Sequence, residues 1–180
     1  MIALIMTVMG SSALYAAGER TSFSILFNRS EIGQTGLSDG GQTYLPLREL
    51  ADRLQAMTAW SNGSKTLQIY KPNVNMALFN GNKLFGSVDA GEKLPFKVLV
   101  QVDNLRTSIS ALKVEISDPS GKSELIDTKN VDDSKENFWY FTKEIKYGFD
   151  KAGTYPVRVY MKQQSADDWS QVSELQIIVK

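Results

Sequence analysis

The run Phe138-Trp139-Tyr140-Phe141 places aromatic rings on both faces of any strand it forms. Aromatics left exposed stack on sugars or mark a protein interface. Trp139 and Phe141 share parity with Ile145 and Tyr147 and are expected in a core. Phe138 and Tyr140, with Trp60 and Trp169, are then the candidate binding residues. Two or more of these four, coplanar and exposed, would make a carbohydrate platform. Acidic groups offer a second chemistry. Asp132-Asp133 with Glu136 and Asn137, and Asp167-Asp168, carry oxygen ligands of the kind Ca²⁺ takes. Neither set matches an EF-hand loop, and acids in such loops are mostly solvated turns. Arg48 stands beside Glu49 and Asp52, and an Arg48–Asp52 pair at i,i+4 spacing points to a local structural role.

The 180 residues include no His and no Cys. Without them there is no Ser-His-Asp or Cys-His pair, no disulfide and no imidazole or thiolate metal ligand. No metal or cofactor is therefore expected. Two carboxylates suffice for glycoside hydrolysis, but no spacing selects a pair from the 20 acids. Twenty Lys and Arg balance those acids, so the formal net charge is zero and nucleic acid is not an expected partner.

No charged side chain precedes Glu19. Met1 to Met9 are apolar apart from Thr7, small residues follow, and Ala16-Ala17-Gly18 closes the stretch. This is the pattern of a secretory signal peptide over residues 1–17, cut between about Ala16 and Gly18. Its missing basic segment points to a start further upstream or to trimming. Export without cysteine fits a Gram-positive surface better than a disulfide-forming extracellular space. No membrane span is expected in the mature chain. The sequons at Asn28 and Asn62 are short enough to arise by chance.

Two modules are expected after the leader, at 18–82 and 83–180. Phe23–Phe27 reads as a strand, followed by a Gly- and Ser-rich stretch. Pro46 suits the first helical turn. Leu47, Leu50, Ala51 and Leu54 then make one apolar helix face, ending near Gln55-Ala56. Met57–Trp60 and Thr66–Tyr70 read as a hairpin turned by Asn62-Gly63, and Val74–Phe79 as a last strand. Beyond it, alternation in Phe96–Val102, Leu112–Ile116, Tyr155–Met161 and Leu175–Val179 predicts an antiparallel β-sandwich.

Tyr44-Leu45-Pro46-Leu47-Arg48-Glu49-Leu50-Ala51, Leu54 and Trp60-Ser61-Asn62-Gly63-Ser64-Lys65-Thr66-Leu67-Gln68-Ile69 resemble the copper amine oxidase N-terminal-like domain. The resemblance covers about residues 23–79. That module is common in secreted proteins of Firmicutes. It implies a small antiparallel sheet wrapped on one helix, a stalk remote from copper, and no oxidase activity. Gln55-Ala56-Met57 stands where the family often has Leu-Gly-Ala. Phe149-Asp150-Lys151-Ala152-Gly153-Thr154-Tyr155-Pro156-Val157 is similar to the corner before strand F of immunoglobulin-like domains. Its aspartate lies one position early, and the Leu112–Ile116 strand carries no tryptophan.

The expected fold class is mainly β: a small α+β module, then an immunoglobulin-like sandwich. The expected function is a non-catalytic binding or scaffold module at the bacterial cell envelope. Its expected partner is a cell-wall polymer or surface protein. The alternative is a carbohydrate-binding module, with or without Ca²⁺, and a hydrolase using acidic residues ranks last.

Overall fold

The computed structural model describes residues 20–131 and 135–180. The expected signal peptide and the Asp132-Asp133 pair lie outside the described residues. The chain divides into two compact units, Met1–Pro46 and Leu47–Lys180.

In the first unit the expected Phe23–Phe27 strand is two pieces, β1 (Thr21–Phe23) and β2 (Leu26–Phe27). β2 pairs with β3 (Ser30–Glu31) through a two-residue turn, with Asn28 at φ 50° and Arg29 at φ 67°. β1 joins β4 (Gly36–Asp39) and β5 (Gln42–Tyr44) in a sheet of order β1-β4-β5. Gly40 and Gly41 close the second hairpin at φ 56° and 80°. Both are primed turns, whose twist matches that of the paired strands. Gly36 lies opposite Phe23, and a Cβ there would fall 2.3 Å from the Phe23 ring.

The second unit opens with α1 (Leu47–Arg53). The chain leaves the helix with Gln55 at φ 56°. Its amide donates to the Asp52 carbonyl and the Ala56 amide donates to the Ala51 carbonyl, at 3.1 and 2.8 Å. This is the Schellman closure, with glutamine in the left-handed position glycine usually fills. Ala51 and Ala56 are buried, whereas Leu54, expected on the apolar face, is exposed. β6 (Met57–Ser61) and β7 (Thr66–Tyr70) form the expected hairpin. Its loop is four residues long, and the left-handed residue is Lys65 (φ 52°) rather than Asn62 or Gly63.

The rest is a two-sheet sandwich built from β8 (Asn73–Asn80), β9 (Lys83–Leu84), β10 (Ser87–Val88), β11 (Glu92–Asp103), β12 (Ile109–Ser117), β13 (Ser123–Asn130), β14 (Phe138–Phe141), β15 (Ile145–Phe149), β16 (Gly153–Gln163) and β17 (Trp169–Val179). One sheet has the order β14-β11-β8-β9, with β15 also on β11. The other has the order β10-β17-β16-β12-β13. β8, β11 and β14–β15 take the places of immunoglobulin strands A, B and E, and β12, β16 and β17 those of C, F and G. β8 pairs with β11 from Asn73 to Phe79, so one sheet spans the expected boundary between residues 82 and 83.

The inward parity of the long strands is as expected. Phe96, Val98, Val100, Val102, Leu112, Val114, Ile116, Val157, Val159, Met161 and Ile177 have no exposed surface. The corner before β16 also forms. The Tyr155 hydroxyl donates to the Lys151 carbonyl at 3.0 Å and accepts from the Lys151 amide at 3.2 Å. Gly153 is required there: its φ is 142°, and a Cβ would sit 2.9 Å from Pro119 Cγ.

Candidate binding face

β14 faces the opposite way from expectation. Phe138 and Tyr140 are half-buried and pack against the core. Trp139 is 74% exposed and Phe141 41%. The cause is a bulge between β14 and β15. Phe141 lies opposite Leu99 and Ile145 opposite Phe96. Thr142, Lys143 and Glu144 therefore face only Lys97 and Val98 of β11. One extra residue reverses the parity, so Ile145 and Tyr147 point inward while Trp139 and Phe141 point out. Thr142 holds the bulge from both sides. Its amide donates to the Val98 carbonyl at 2.9 Å, and its Oγ1 accepts from the Val98 amide at 2.9 Å.

The outer face of this sheet is organised in rows across the strands. Trp139, Gln101 and Asn75 form one row, and Phe141, Leu99 and Ala77 the next. Lys97, Phe79 and Leu84 follow. The Phe79 and Phe141 rings meet edge to face at 5.9 Å, and the Lys97 ammonium stands 4.7 Å from the Phe141 centroid. Leu99, Gln101, Asp103, Asn137, Phe138 and Trp139 line a shallow groove of about 520 Å³. Gln101 Nε2 donates to Asp103 Oδ2 at 2.9 Å, and Asn137 Oδ1 accepts from the Asn104 amide at 3.0 Å.

The four expected residues do not share a face. Tyr140 donates its hydroxyl to Asp127 of β13, tying the edges of the two sheets together. Burial, then the hydrogen bond and charge of Asp127, push its pKa far above the usual phenol value. Burial acts to raise Asp127. The bonds from Tyr140, the Lys143 amide and the Thr128 amide outweigh it and hold the carboxyl below its ordinary pKa. Trp60 is exposed on the β6–β7 hairpin, its Nε1 bonded to Asn62 Oδ1 at 2.8 Å. Trp169 lies on the outer face of the other sheet. There Lys113 stands 4.8 Å from the Tyr160 ring and 5.1 Å from the Trp169 ring. That face is a lattice of ion pairs, Lys113–Glu115 and Arg158–Glu174, each at 2.7 Å.

Among the described candidates, Glu136 and Asp167 have cationic partners and Asn137 an amide partner. Glu136 pairs with Arg106 at 2.7 Å, and Asp167 with Lys162 at 3.3 Å. Among the described residues no three acidic side chains come together as a metal site requires. On α1 the ion pair that closes is Glu49–Arg53, at 3.5 Å, in place of the expected Arg48–Asp52. A pocket of about 480 Å³ near the Tyr155 corner holds Lys93, Lys122, Lys146 and Lys151, and its acids Asp118, Glu124 and Asp150 nearly cancel their charge. Among the described residues no helix is long and apolar enough to cross a membrane.

Fold and surface define a β-sandwich protein with immunoglobulin-like pairing and an aromatic outer face. Residues 27–116, half of the chain, match the family model of the copper amine oxidase N-terminal domain, and the chain belongs to that family. In amine oxidases this is a stalk-type domain without catalytic function. The match begins in β2 and runs into β12, beyond the helix and hairpin that carry the sequence resemblance. No curated protein matches the chain.

Proposed function

We propose that this chain is a non-catalytic binding or scaffold module of an exported protein, acting at the outer side of a Gram-positive envelope. A cell-wall polymer or surface protein is its partner. The observation that carries the reading is the exposed pair Trp139 and Phe141, set beside the half-buried Leu99 and Phe79 on the outer face of one sheet. Sandwich strands bury one face and solvate the other, so large aromatics on the solvated face depart from the pattern that folding alone demands. Family membership and the missing His and Cys support a binding role over a catalytic one. The apolar start of the sequence supports export.

Capture by purified cell-wall sacculi tests the reading, with one sample stripped of protein and one left intact. Wild-type protein should be retained on at least one. The Trp139→Ala, Phe141→Ala double variant should pass through both. Equal behaviour of the two proteins on both samples would refute the assignment.

A further inference from the structure

The outer face of β14, β11 and β8 changes chemistry along its length. Its Trp139 end is flanked by amides and one carboxylate: Gln101 and Asn75 in the same row, Asp103 and Asn73 in the row beyond. Its other end is mainly apolar, with Phe141, Leu99, Ala77 and Phe79 around Lys97. A pyranose ring has the matching division, an apolar face of C–H groups and a rim of hydroxyls. We propose that this face is a glycan subsite taking a neutral pyranose chain, with Trp139 and Phe141 stacking on sugar rings and Gln101, Asn75 and Asp103 bonding hydroxyls. The assignment rests on the binding-module reading above and names its ligand class.

Charge and size both select this ligand. Asp103 accepts from Gln101, and Lys97 lies over the Phe141 ring at the opposite end. One acid and one base leave no surplus charge to draw a polyanion. The face is three strands wide at about 4.8 Å spacing and six residues long at about 3.4 Å, which is about 300 Å². A stable protein partner or second copy buries about 800 Å² on each side. The flat area of these three strands is of the size of a few sugar rings, and only the single strand pair at Leu84 of β9 extends it. Trp139 is the stacking platform because its ring is the most exposed large apolar group on the chain's described surface. Its neighbour Phe141 is two residues along the same strand, so their backbone positions stand about 7 Å apart along the chain direction.

The test titrates the full chain with β-1,4-linked hexamers of N-acetylglucosamine and of glucose, followed by tryptophan fluorescence and calorimetry. Saturable binding of at least one hexamer is expected. Trp139→Ala should weaken it at least tenfold, and Phe141→Ala and Gln101→Ala severalfold. Trp60→Ala should stay within twofold of wild type. Thermal melts of each variant separate loss of binding from loss of fold, and Gln101→Ala, at an exposed position, keeps the test alive if an aromatic variant misfolds. Which hexamer binds distinguishes an amino-sugar backbone from a glucan. The proposal is overturned if neither hexamer binds up to about 10 mM, or if folded Trp139→Ala and Phe141→Ala both bind as wild type does. Failure with both hexamers alongside continued capture by sacculi would remove the glycan assignment and leave the envelope-module reading standing.

Discussion

Replacing Thr142 by valine should test the device that turns Trp139 outward. The two side chains have nearly the same shape, so packing is conserved while the hydroxyl is lost. Thr142 is 5% exposed and Val98 is fully buried. The Val98 amide donates to Thr142 Oγ1 at 2.9 Å, and in the variant it faces a methyl group instead. An unmet buried amide costs about 1–3 kcal/mol. For a cooperative unit of this size that is a fall in melting temperature of about 3–10 °C. Thr142→Ser keeps the acceptor and removes one methyl, which should cost about 1 kcal/mol or less. Urea unfolding gives the stability difference, and amide exchange locates it, because Val98 should lose protection in the valine variant and keep it in the serine variant. Equal stability of Thr142→Val and wild type, or equal losses in both variants, would show that the hydroxyl does not hold the bulge.

Three further outcomes follow from the same structure. Gln55→Gly should raise stability by about 0.5–1 kcal/mol in urea unfolding, because glutamine occupies a left-handed position that glycine enters without strain. A fragment starting at Leu47 should melt cooperatively as a mainly β domain. One starting at Lys83 should not, because it removes β8, leaves one edge of β11 unpaired and deletes the buried Leu78. Asp127 is held below its ordinary pKa in the folded protein, so its contribution to stability is present above the unfolded value near 4 and is lost as pH falls through the folded value. Stability measured from pH 7 down to pH 2 should therefore fall less steeply in Asp127→Asn than in wild type.

The parts of the fold legible in the sequence are those set by local rules. Alternation over Phe96–Val102 and Tyr155–Met161 marks buried strands because burial on one face of a strand repeats every two residues. Gly153 and Tyr155 mark their corner because the glycine conformation and the tyrosine hydroxyl act within five residues of each other. The hairpin between β6 and β7 was legible as well, although its left-handed residue is Lys65, since a four-residue loop moves that position away from Asn62-Gly63. What required the structure was pairing between distant segments. Val74–Phe79 reads as the last strand of the first module, and its register with β11 assigns it to the sandwich. The expected binding residues Phe138 and Tyr140 turned inward for a related reason. The parity of Ile145 and Tyr147 extends back to Trp139 and Phe141 only if the strand is continuous. A bulge has no signature in Thr142-Lys143-Glu144 that distinguishes it from three more strand residues.

The position of that bulge links stability to the proposed binding face. β14 is an edge strand of four residues, and an exposed edge bearing aromatic groups invites pairing with other chains. Two features limit that hazard. The bulge ends regular pairing directly after Phe141, and the Tyr140–Asp127 bond ties the edge to the opposite sheet. With the edge restrained, Trp139 and Phe141 present their rings from a fixed backbone rather than from a loop, which would lower the ordering cost of the proposed binding. Moving the aromatics inward would need one residue fewer between Phe141 and Ile145, with Phe138 and Tyr140 then facing water. Either register buries two rings of the four. The register adopted also leaves Tyr140 in reach of Asp127 and sets Trp139 beside Gln101, so one extra residue both closes the side of the sandwich and creates the polar-aromatic row.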